Sequence, residues 1–318
     1  MILVTGATGF LGREVVRQLQ NTEHAFKCLI HTPGKERVLK INDSQIVYGD
    51  LLNRNSLDVM LMGIDTIINI AGTSPFGEHP NVYRRVNVGS TLNLIERSES
   101  ANVKRFIHIS AANSSNDSNS PFLRSKFLSE KVVTKSSLQF TILRFAHVYG
   151  PEDRFLNYSA ALLKLLPIKI LYGDSEALLQ PIHIQDVGKF ILQSMHDNNF
   201  IGKEIDLVGP ESISYMELYK LINDKLSSGV VKYAPYLQIP AWFARLLSNF
   251  WGLSSPLNIS FSNYMTDGLI SKQNVENIAF DVPLKKLSQN LDYVNDIDLL
   301  DSVKILFGNN SYNFEDYE

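Results

Sequence analysis

The sequence predicts an α/β protein with a doubly wound parallel sheet, helices on both faces of that sheet and a smaller C-terminal lobe. Two observations carry this prediction. Short apolar or β-branched runs alternate with segments of helical spacing through the first half of the chain. A glycine-rich turn joins the first of these runs to the first helical segment. Repeated β-α-β units of this kind build parallel sheets that are covered by helices.

The elements of the first half are predicted from this alternation, in order along the chain. Strands are predicted at residues 1–5, 26–31, 45–48, 66–71, 104–110 and 139–145. Helices are predicted between them at roughly 10–20, 54–62, 80–101 and 121–136. Each crossover between neighbouring parallel strands is expected to lay its helix against the sheet.

The second half has a different pattern, with shorter strands between its helices. A helix is predicted to begin at Asp153, and strands at 168–173, 181–184 and 204–208. Asp186 is expected to cap a helix that runs to about 197, and Ser214 a helix that runs to about 227, because Asp and Ser accept hydrogen bonds from free helical N–H groups. We therefore divide the chain into a domain at 1–150 and a smaller lobe at 151–318, with 168–208 returning in part to the sheet.

Composition excludes several classes of protein. The formal net charge of −3 and the pI near 6.2 argue against nucleic acid as a partner, since phosphate binding needs clustered Lys and Arg. Cys28 is the single cysteine, so no intramolecular disulfide is expected, and the scattered histidines show no metal-ligand spacing. No apolar run approaches the roughly 18 residues that span a bilayer. We expect a soluble, cytoplasmic protein without a metal.

Residues 240–251 form a strongly patterned segment near the C-terminus. Its large apolar residues recur at helical spacing and make one aromatic face: Trp242, Phe243, Leu246, Leu247, Phe250 and Trp251. This face either packs over the crevice as core or serves as a docking face for a protein partner or a membrane surface. The segment is short and carries one basic residue, Arg245, which is unlike a membrane-surface helix.

The first turn is the first candidate site, because its glycines follow a strand and open a helix. In a dinucleotide fingerprint the first glycine makes the turn, the second admits the pyrophosphate and the third packs the helix on the sheet. The alternative is a glycine turn used only for packing. The residues expected to contact a dinucleotide here are Gly6, Thr8, Gly9, Phe10, Leu11 and Gly12.

Further candidate residues follow the later strands, whose ends form the crevice in open α/β sheets. The second strand ends without the carboxylate that holds the ribose 2′-hydroxyl of NAD. His31, Lys35 and Arg37 stand there instead, which favours NADP(H) over NAD(H), unless Lys35 and Arg37 are simply solvated. After the next two strands, the candidates for contact with the adenine and the rest of the cofactor are Asp50, Leu51, Ala71 and Gly72.

Several longer segments resemble a known family, the extended and atypical short-chain dehydrogenase/reductases, which share the Rossmann fold and include NAD-dependent epimerases and dehydratases. The segments that carry the resemblance are Thr5–Gly12, Val103–Ser110 and Arg144–Pro151. Three more segments resemble the branch that contains the alpha-subcomplex-9 accessory subunit of respiratory complex I and its bacterial relatives: Glu152–Asn157, Gln180–Val187 and Val208–Pro210. The resemblance extends over about residues 1–225.

The resemblance implies a catalytic Tyr-x-x-x-Lys pair and a serine. Lys126 matches the lysine, which would also hold the nicotinamide ribose, and Ser110 lies near the place of the serine. Phe122 stands where the tyrosine is expected, and a phenyl ring has no proton to give. Lys126 is otherwise a solvated lysine beside Glu130. The resemblance also places three residues beside the nicotinamide, although the histidine among them has a structural alternative: Phe145, His147 and Val148.

Three functions remain open from the sequence. The first is an NAD(P)(H)-binding protein with weak or absent turnover, whose cofactor is structural or regulatory, as in the complex I subunit. The second is an active NAD(P)-dependent reductase or sugar-nucleotide epimerase in which Tyr83, Tyr149 or Tyr158 supplies the proton. The third is a redox-sensing regulator. The resemblance adds the matrix face of complex I as a second location, if a presequence has been removed.

Overall fold

A computed structural model describes residues 1–75, 79–166, 168–172, 174–226, 235–239 and 283–307. The main sheet has seven strands: β1 (Ile2–Thr5), β2 (Phe26–Ile30), β3 (Ile46–Tyr48), β4 (Thr66–Asn69), β5 (Arg105–Ala111), β6 (Gln139–Phe145) and β11 (Lys203–Leu207). All neighbours in it are parallel, in the order β11-β6-β5-β4-β1-β2-β3. The predicted doubly wound α/β fold is confirmed.

Short strands belong to the second half of the chain. They are β7 (Val148–Tyr149), β8 (Lys169–Tyr172), β9 (Leu178–Leu179), β10 (Ile182–His183), β12 (Ile213–Ser214) and β13 (Tyr236–Ile239). They pair two by two, β10 with β7, β12 with β9 and β13 with β8. The predicted return to the main sheet is made by β11, where Asp206 stands opposite Arg144.

The helices are α1 (Phe10–Leu19), α2 (Arg54–Met60), α3 (Pro80–Tyr83), α4 (Ser90–Ser100), α5 (Pro121–Thr134), α6 (Arg154–Leu165), α7 (Ile184–His196), α8 (Tyr215–Lys225) and α9 (Leu299–Phe307). A π-helical stretch, Arg84–Gly89, joins α3 to α4. Short 3-10 helices lie at Lys35–Leu39, Asp43–Gln45, Asn198–Phe200, Leu287–Gln289 and Asp292–Asn295. The helices predicted for the first half end within about two residues of the observed ones.

The two faces of the sheet have separate cores. Helices α1 and α7 cover one face, where Val16 and Ile191 are buried. Helices α2 and α4 cover the other face with Leu57 and Leu94. A third cluster joins the second half of the chain to α5 through Phe122. The division into two domains at residue 150 stays a prediction.

Helix capping agrees with the sequence at two helices and differs at a third. Asp153 caps α6 by accepting from Leu156 N at 2.6 Å, and Ser214 caps α8. The expectation that Asp186 caps α7 is wrong. The cap lies three residues earlier, at His183, whose Nδ1 accepts from Gln185 N at 3.2 Å. Asp186 lies in the first turn and accepts from the backbone of residue 285 instead.

The predicted aromatic helix at 240–251 lies outside the described residues. Within the described ranges, no helix is long and apolar enough to cross a membrane. The segment 283–307 packs back on the second half through Tyr293, whose hydroxyl donates to Asp153 at 2.8 Å, and through Lys164, which donates to Asn295 O at 3.2 Å.

Candidate functional site

The glycine turn after β1 has the geometry of a close backbone approach. Gly6 has φ +68°, a conformation that favours glycine, and a Cβ there would lie 2.8 Å from Ala71 N. A Cβ at Gly12 would lie 2.1 Å from Gly6 O, so the helix packs on the turn without room for a side chain. A Cβ at Gly9 would meet only Gly6 O, at 3.4 Å. Gly9 therefore faces open space at the start of α1, where an anion is favoured.

The ends of β2 and β3 bring together the residues predicted for the adenosine half of a cofactor. His31 is 73% exposed at the side chain, and its Nε2 lies 3.9 Å from an Asp50 carboxylate oxygen. Asp50 Oδ1 also accepts from Leu52 N at 2.8 Å, which fixes its orientation, and Leu51 is buried. Arg37 is exposed on the 3-10 helix Lys35–Leu39.

One carboxylate near this position, that of Glu36, was not predicted from the sequence. Glu36 lies on the same 3-10 helix, but its Oε2 accepts from Gly34 N at 2.7 Å. This bond turns the carboxylate back onto its own loop, and backbone hydrogen bonds of this kind lower the pKa of Glu36. The arrangement keeps the acid in a local turn that stabilises the left-handed Gly34.

Lys126 is buried rather than solvated, so the alternative of a solvated lysine is wrong. The residue is 7% exposed, and its Nζ donates to Ile109 O at 3.0 Å. A Cβ at Gly72 would lie 3.5 Å from the same Nζ, which places the end of β4 beside the lysine. Burial lowers the pKa of Lys126 to about 8, with the charge of Glu130 acting in the opposite direction. The ammonium form still predominates at pH 7.

Phe122 lies one turn before Lys126 on the same face of α5. Its ring is buried, 5.9 Å from the ring centroid of Tyr83 in an edge-to-face contact. The hydrophobic cluster around it includes Ala111 at the end of β5. The position one turn before Lys126 is therefore filled by a phenyl ring, which gives no proton.

Of the other tyrosines that the sequence offers as proton donors, Tyr149 is engaged elsewhere. Its hydroxyl donates to Lys285 O at 3.4 Å, and burial raises its pKa above the ordinary value. Tyr83 is the tyrosine that the structure places against Phe122. Its side chain is fully buried.

Ser110 takes part in a buried ionic network. Its hydroxyl donates to Glu130, which also accepts from Ser114 Oγ at 2.7 Å and from Arg144 at 2.7 and 3.0 Å. Arg144 further pairs with Glu204 and approaches Asp206 at 3.7 Å. This commitment to Glu130 leaves the assigned catalytic role of Ser110 a prediction without a contact to support it.

The end of β6 and the loop after it carry the remaining candidate residues. Phe145 is buried in the sheet core, and Val148 begins the short strand β7. The His147 ring packs edge-on against Phe155 with centroids 4.6 Å apart, and burial lowers its pKa to about 3. Within the described residues, its buried Nε2 has no hydrogen-bond partner. The lowered pKa keeps the ring neutral at pH 7, so Nε2 is able either to accept or to donate one hydrogen bond, according to the tautomer.

A row of buried polar residues on α5 escaped the sequence analysis. Ser125 and Ser129 lie on the same face as Lys126 and Glu130. Asn87, in the π-helical stretch, donates to Ser125 Oγ at 2.8 Å and accepts from Thr73 N at 2.9 Å. A signal was available, since an amphipathic helix whose inward stripe carries Ser, Lys, Ser and Glu needs polar partners.

The residues present fit a dinucleotide. The open face at Gly9 and the helix N-terminus suit a pyrophosphate, and Lys126 and His147 offer polar atoms farther along the strand ends. Among the described residues, no group of three or more His, Cys, Asp or Glu residues could hold a metal ion. The fold and this site define a dinucleotide-binding α/β protein.

Comparison with known families makes the class specific. Residues 2–208 match the NAD dependent epimerase/dehydratase family, and the chain belongs to that family. The predicted resemblance to short-chain dehydrogenase/reductases is confirmed, and membership supports dinucleotide binding.

The relatives include two kinds of protein. The chain is 28% identical over 249 residues to the mitochondrial NADH dehydrogenase [ubiquinone] 1 alpha subcomplex subunit 9 of Mus musculus. The aligned region covers 76% of this chain and 66% of that protein. It is 27% identical over 251 residues to the photosystem II assembly factor Ycf39 of Trieres chinensis, with 79% of this chain and 76% of that protein covered. The match thus spans just under two thirds of the mouse subunit.

Solved structures show the same fold. A UDP-glucuronic acid 4-epimerase from Bacillus cereus in complex with NAD has a TM-score of 0.65 at 20% identity, covering 93% of this chain and 98% of that chain. A nucleoside-diphosphate-sugar epimerase from Staphylococcus aureus has a TM-score of 0.71 at 18% identity, covering 92% and 99%.

Proposed function

We propose that this protein binds NAD(P)(H) at the strand ends and uses it as a structural or regulatory cofactor, with weak or absent turnover. The observation that carries the proposal is Phe122, which places a buried phenyl ring one helical turn before Lys126. Lys126 would hold the nicotinamide ribose, Gly9 the pyrophosphate and His147 the nicotinamide end. The cofactor, when bound, would supply hydride chemistry, but with Phe122 in place of the tyrosine the site lacks the usual proton donor for it.

A change of Phe122 to tyrosine tests this proposal. Phe122→Tyr should leave NADPH affinity within about twofold, because the ring keeps its packing. Losing a positioned general acid lowers the rate about 10²- to 10⁴-fold. If the variant gains turnover, the wild type should therefore be slower than the variant by at least that factor. The measurement is NADPH oxidation with carbonyl and sugar-nucleotide substrates, alongside calorimetric binding.

The control is Phe127→Tyr, which adds the same hydroxyl on the same helix beside Lys131, outside the buried stripe. Robust wild-type turnover that survives Lys126→Met would contradict the proposal. It would show that the chemistry uses other residues.

We also propose that NADP(H) binds at least as tightly as NAD(H). Support comes from His31 and Arg37 at the end of β2, and from Glu36, whose carboxylate is held in its own loop. Arg37→Gln should weaken NADPH by about two- to fivefold, the range for an exposed charge pair, and leave NADH unchanged. Lys203→Gln, which changes an exposed lysine on β11 at the opposite edge of the sheet, is the matched control. A tenfold preference of the wild type for NADH, measured by titration calorimetry, would overturn this assignment.

The biological setting that we propose is that of an accessory or assembly protein. The support is the likeness to a complex I subunit and to a photosystem II assembly factor. The predicted aromatic face at 240–251 would contact a protein partner, and the location would follow that partner, in the bacterial cytoplasm or at the matrix face of complex I. A redox-sensing regulator is the variant of this proposal in which the bound cofactor controls the partner.

An active reductase or epimerase is the second candidate, and Tyr83 is the observation in its favour. Its ring is edge-on to Phe122, with the ring centroids 5.9 Å apart, so it is a candidate to replace the missing acid. Activity that disappears in Tyr83→Phe and persists in Tyr149→Phe would support this candidate over the first.

A further inference from the structure

A chain of buried hydrogen bonds crosses the sheet from the glycine turn to Lys126. At one end, Ala71 N donates to Thr5 Oγ1 at 3.2 Å, and Thr5 Oγ1 donates to Asn69 Oδ1 at 2.7 Å. The Asn69 amide nitrogen then lies 3.1 Å from His108 Nδ1. The chain thus joins the ends of β1 and β4 to the middle of β5.

The other end of the chain reaches α5. His108 Nε2 lies 3.0 Å from Ser129 Oγ, and that hydroxyl donates to Lys126 O at 2.7 Å. Lys126 Nζ in turn donates to Ile109 O, the residue after His108 on β5. The turn of α5 that carries Lys126 is therefore attached to β5 both through its side chain and through its backbone oxygen.

The directions of these bonds allow one tautomer of His108. Asn69 Oδ1 accepts from Thr5, so its amide nitrogen is the atom that faces His108 and donates to Nδ1. The same amide nitrogen also donates to Thr91 Oγ1 at 3.4 Å, whose own proton goes to Asn87 O. With Nδ1 accepting, the proton of the neutral ring sits on Nε2 and is donated to Ser129.

The surroundings keep the ring uncharged. Burial, with the charge of Lys126 adding to it, lowers the pKa of His108 well below its ordinary value. A charged ring would need Nδ1 as a donor, and Nδ1 faces the amide donor of Asn69. A buried ring with both nitrogens satisfied specifies one arrangement of its neighbours.

We propose that His108, in its neutral Nε2–H form, is a positioning residue that links the glycine turn and the end of β4 to Lys126, and so holds this lysine in place for the nicotinamide ribose. The inference rests on the proposed function, because it assigns a purpose to the site of Lys126. It concerns the orientation of the lysine and requires no chemistry of His108 itself.

The test compares two ligands and two serine variants. Ser129→Ala removes the acceptor of His108 Nε2, and the loss of one hydrogen bond corresponds to about a two- to tenfold change in affinity. We expect this loss for NADPH and no change for 2′-phosphoadenosine 5′-diphosphate, a fragment without the nicotinamide ribose. A general loss of structure would weaken both ligands.

Ser194→Ala is the matched control. Ser194 is equally buried and makes the same bond to the carbonyl three residues earlier, Ile191 O at 2.8 Å, but it lies on α7 across the sheet. Ser129→Ala should unfold at a somewhat lower urea concentration than Ser194→Ala, because it also leaves the buried His108 Nε2–H without an acceptor. In the absence of urea both variants should be folded, and only Ser129→Ala should lose NADPH affinity. Equal affinities in the two variants would show that Ser129 and His108 are structural only.

Two histidine variants provide a rescue test. A glutamine amide reaches the position of Nε2, whereas an asparagine amide reaches that of Nδ1, so His108→Gln should bind NADPH more tightly than His108→Asn. Nitrogen chemical shifts should show a neutral Nε2–H ring in the wild type at pH 7, and a charged ring or an Nδ1–H tautomer would overturn the inference. If the wild type binds neither ligand, the proposed function fails, and the inference fails with it.

Discussion

Replacing Gly9 with valine is expected to abolish NAD(P)(H) binding while the protein stays folded. The backbone at Gly9 is extended, with φ −81° and ψ 169°, so any residue is allowed there. A Cβ would meet protein only at Gly6 O, 3.4 Å away, and the rest of the side chain would project into the space assigned to the pyrophosphate. Loss of the glycine N-cap should cost about 1 kcal/mol of stability. Calorimetry should detect no saturable binding of NADPH or NADH.

Two further glycines provide contrasts. Gly12→Ala would drive its Cβ to 2.1 Å from Gly6 O, so this variant should lose the fold itself. Gly89→Ala places its Cβ 3.8 Å from Leu52, an ordinary contact, and should bind like the wild type. Unchanged NADPH affinity in Gly9→Val would mean that the turn is used only for packing.

Replacing Arg144 with methionine is expected to lower the free energy of unfolding by about 3–5 kcal/mol. Arg144 is the cation among three carboxylates, two of which are buried, Glu130 and Asp206. Burial alone would lower the pKa of Arg144, but the hydrogen bond and the charge of Glu130, with the other two carboxylates, raise it above its ordinary value. The contribution of Arg144 to the stability of the wild type is therefore constant across neutral pH. This contribution would be lost only at a pH far above neutral.

The loss of stability in Arg144→Met, unlike the contribution of Arg144 in the wild type, should depend on pH. Without Arg144 the buried carboxylates are uncompensated, and protonation relieves that cost, so the deficit should shrink as the pH falls toward the ordinary glutamate pKa of about 4.3. Urea unfolding at pH 7.5 and pH 5 measures both effects. Arg17→Met, which breaks an exposed pair with Glu14, should cost no more than about 0.5 kcal/mol. Equal losses in the two variants would contradict the assigned role of Arg144.

Much of the fold follows from local sequence. The alternation of apolar runs and helical segments predicted the strands from β1 to β6 and the helices between them. This was possible because the spacing of apolar residues within a short stretch of sequence distinguishes a strand from a helix. The glycine spacing also predicted the different tasks of Gly6 and Gly12, which the contacts of their Cβ positions now show. The helix at 184–196 was placed, but its cap was not, because His183 is a less common capping residue than aspartate.

The site was predictable only in part, for a reason that Ser110 illustrates. The sequence places it at a strand end beside the expected active site, and the structure gives its hydroxyl to Glu130, twenty residues away on α5. Lys126 was open between a solvated and a buried position, and its burial depends on how α5 lies against β5. Such pairings join residues that no local pattern relates.

The sequence by itself determined the class of fold, the place of the glycine turn and the absence of a tyrosine at position 122. These are properties of composition and of short-range spacing, which are fixed before the chain folds. Tertiary structure decided which polar side chains meet, such as Asn69 with His108 and Arg144 with Glu130. The physical reason is that a buried polar group needs a partner, and the packing of helices on the sheet selects which partner lies within reach.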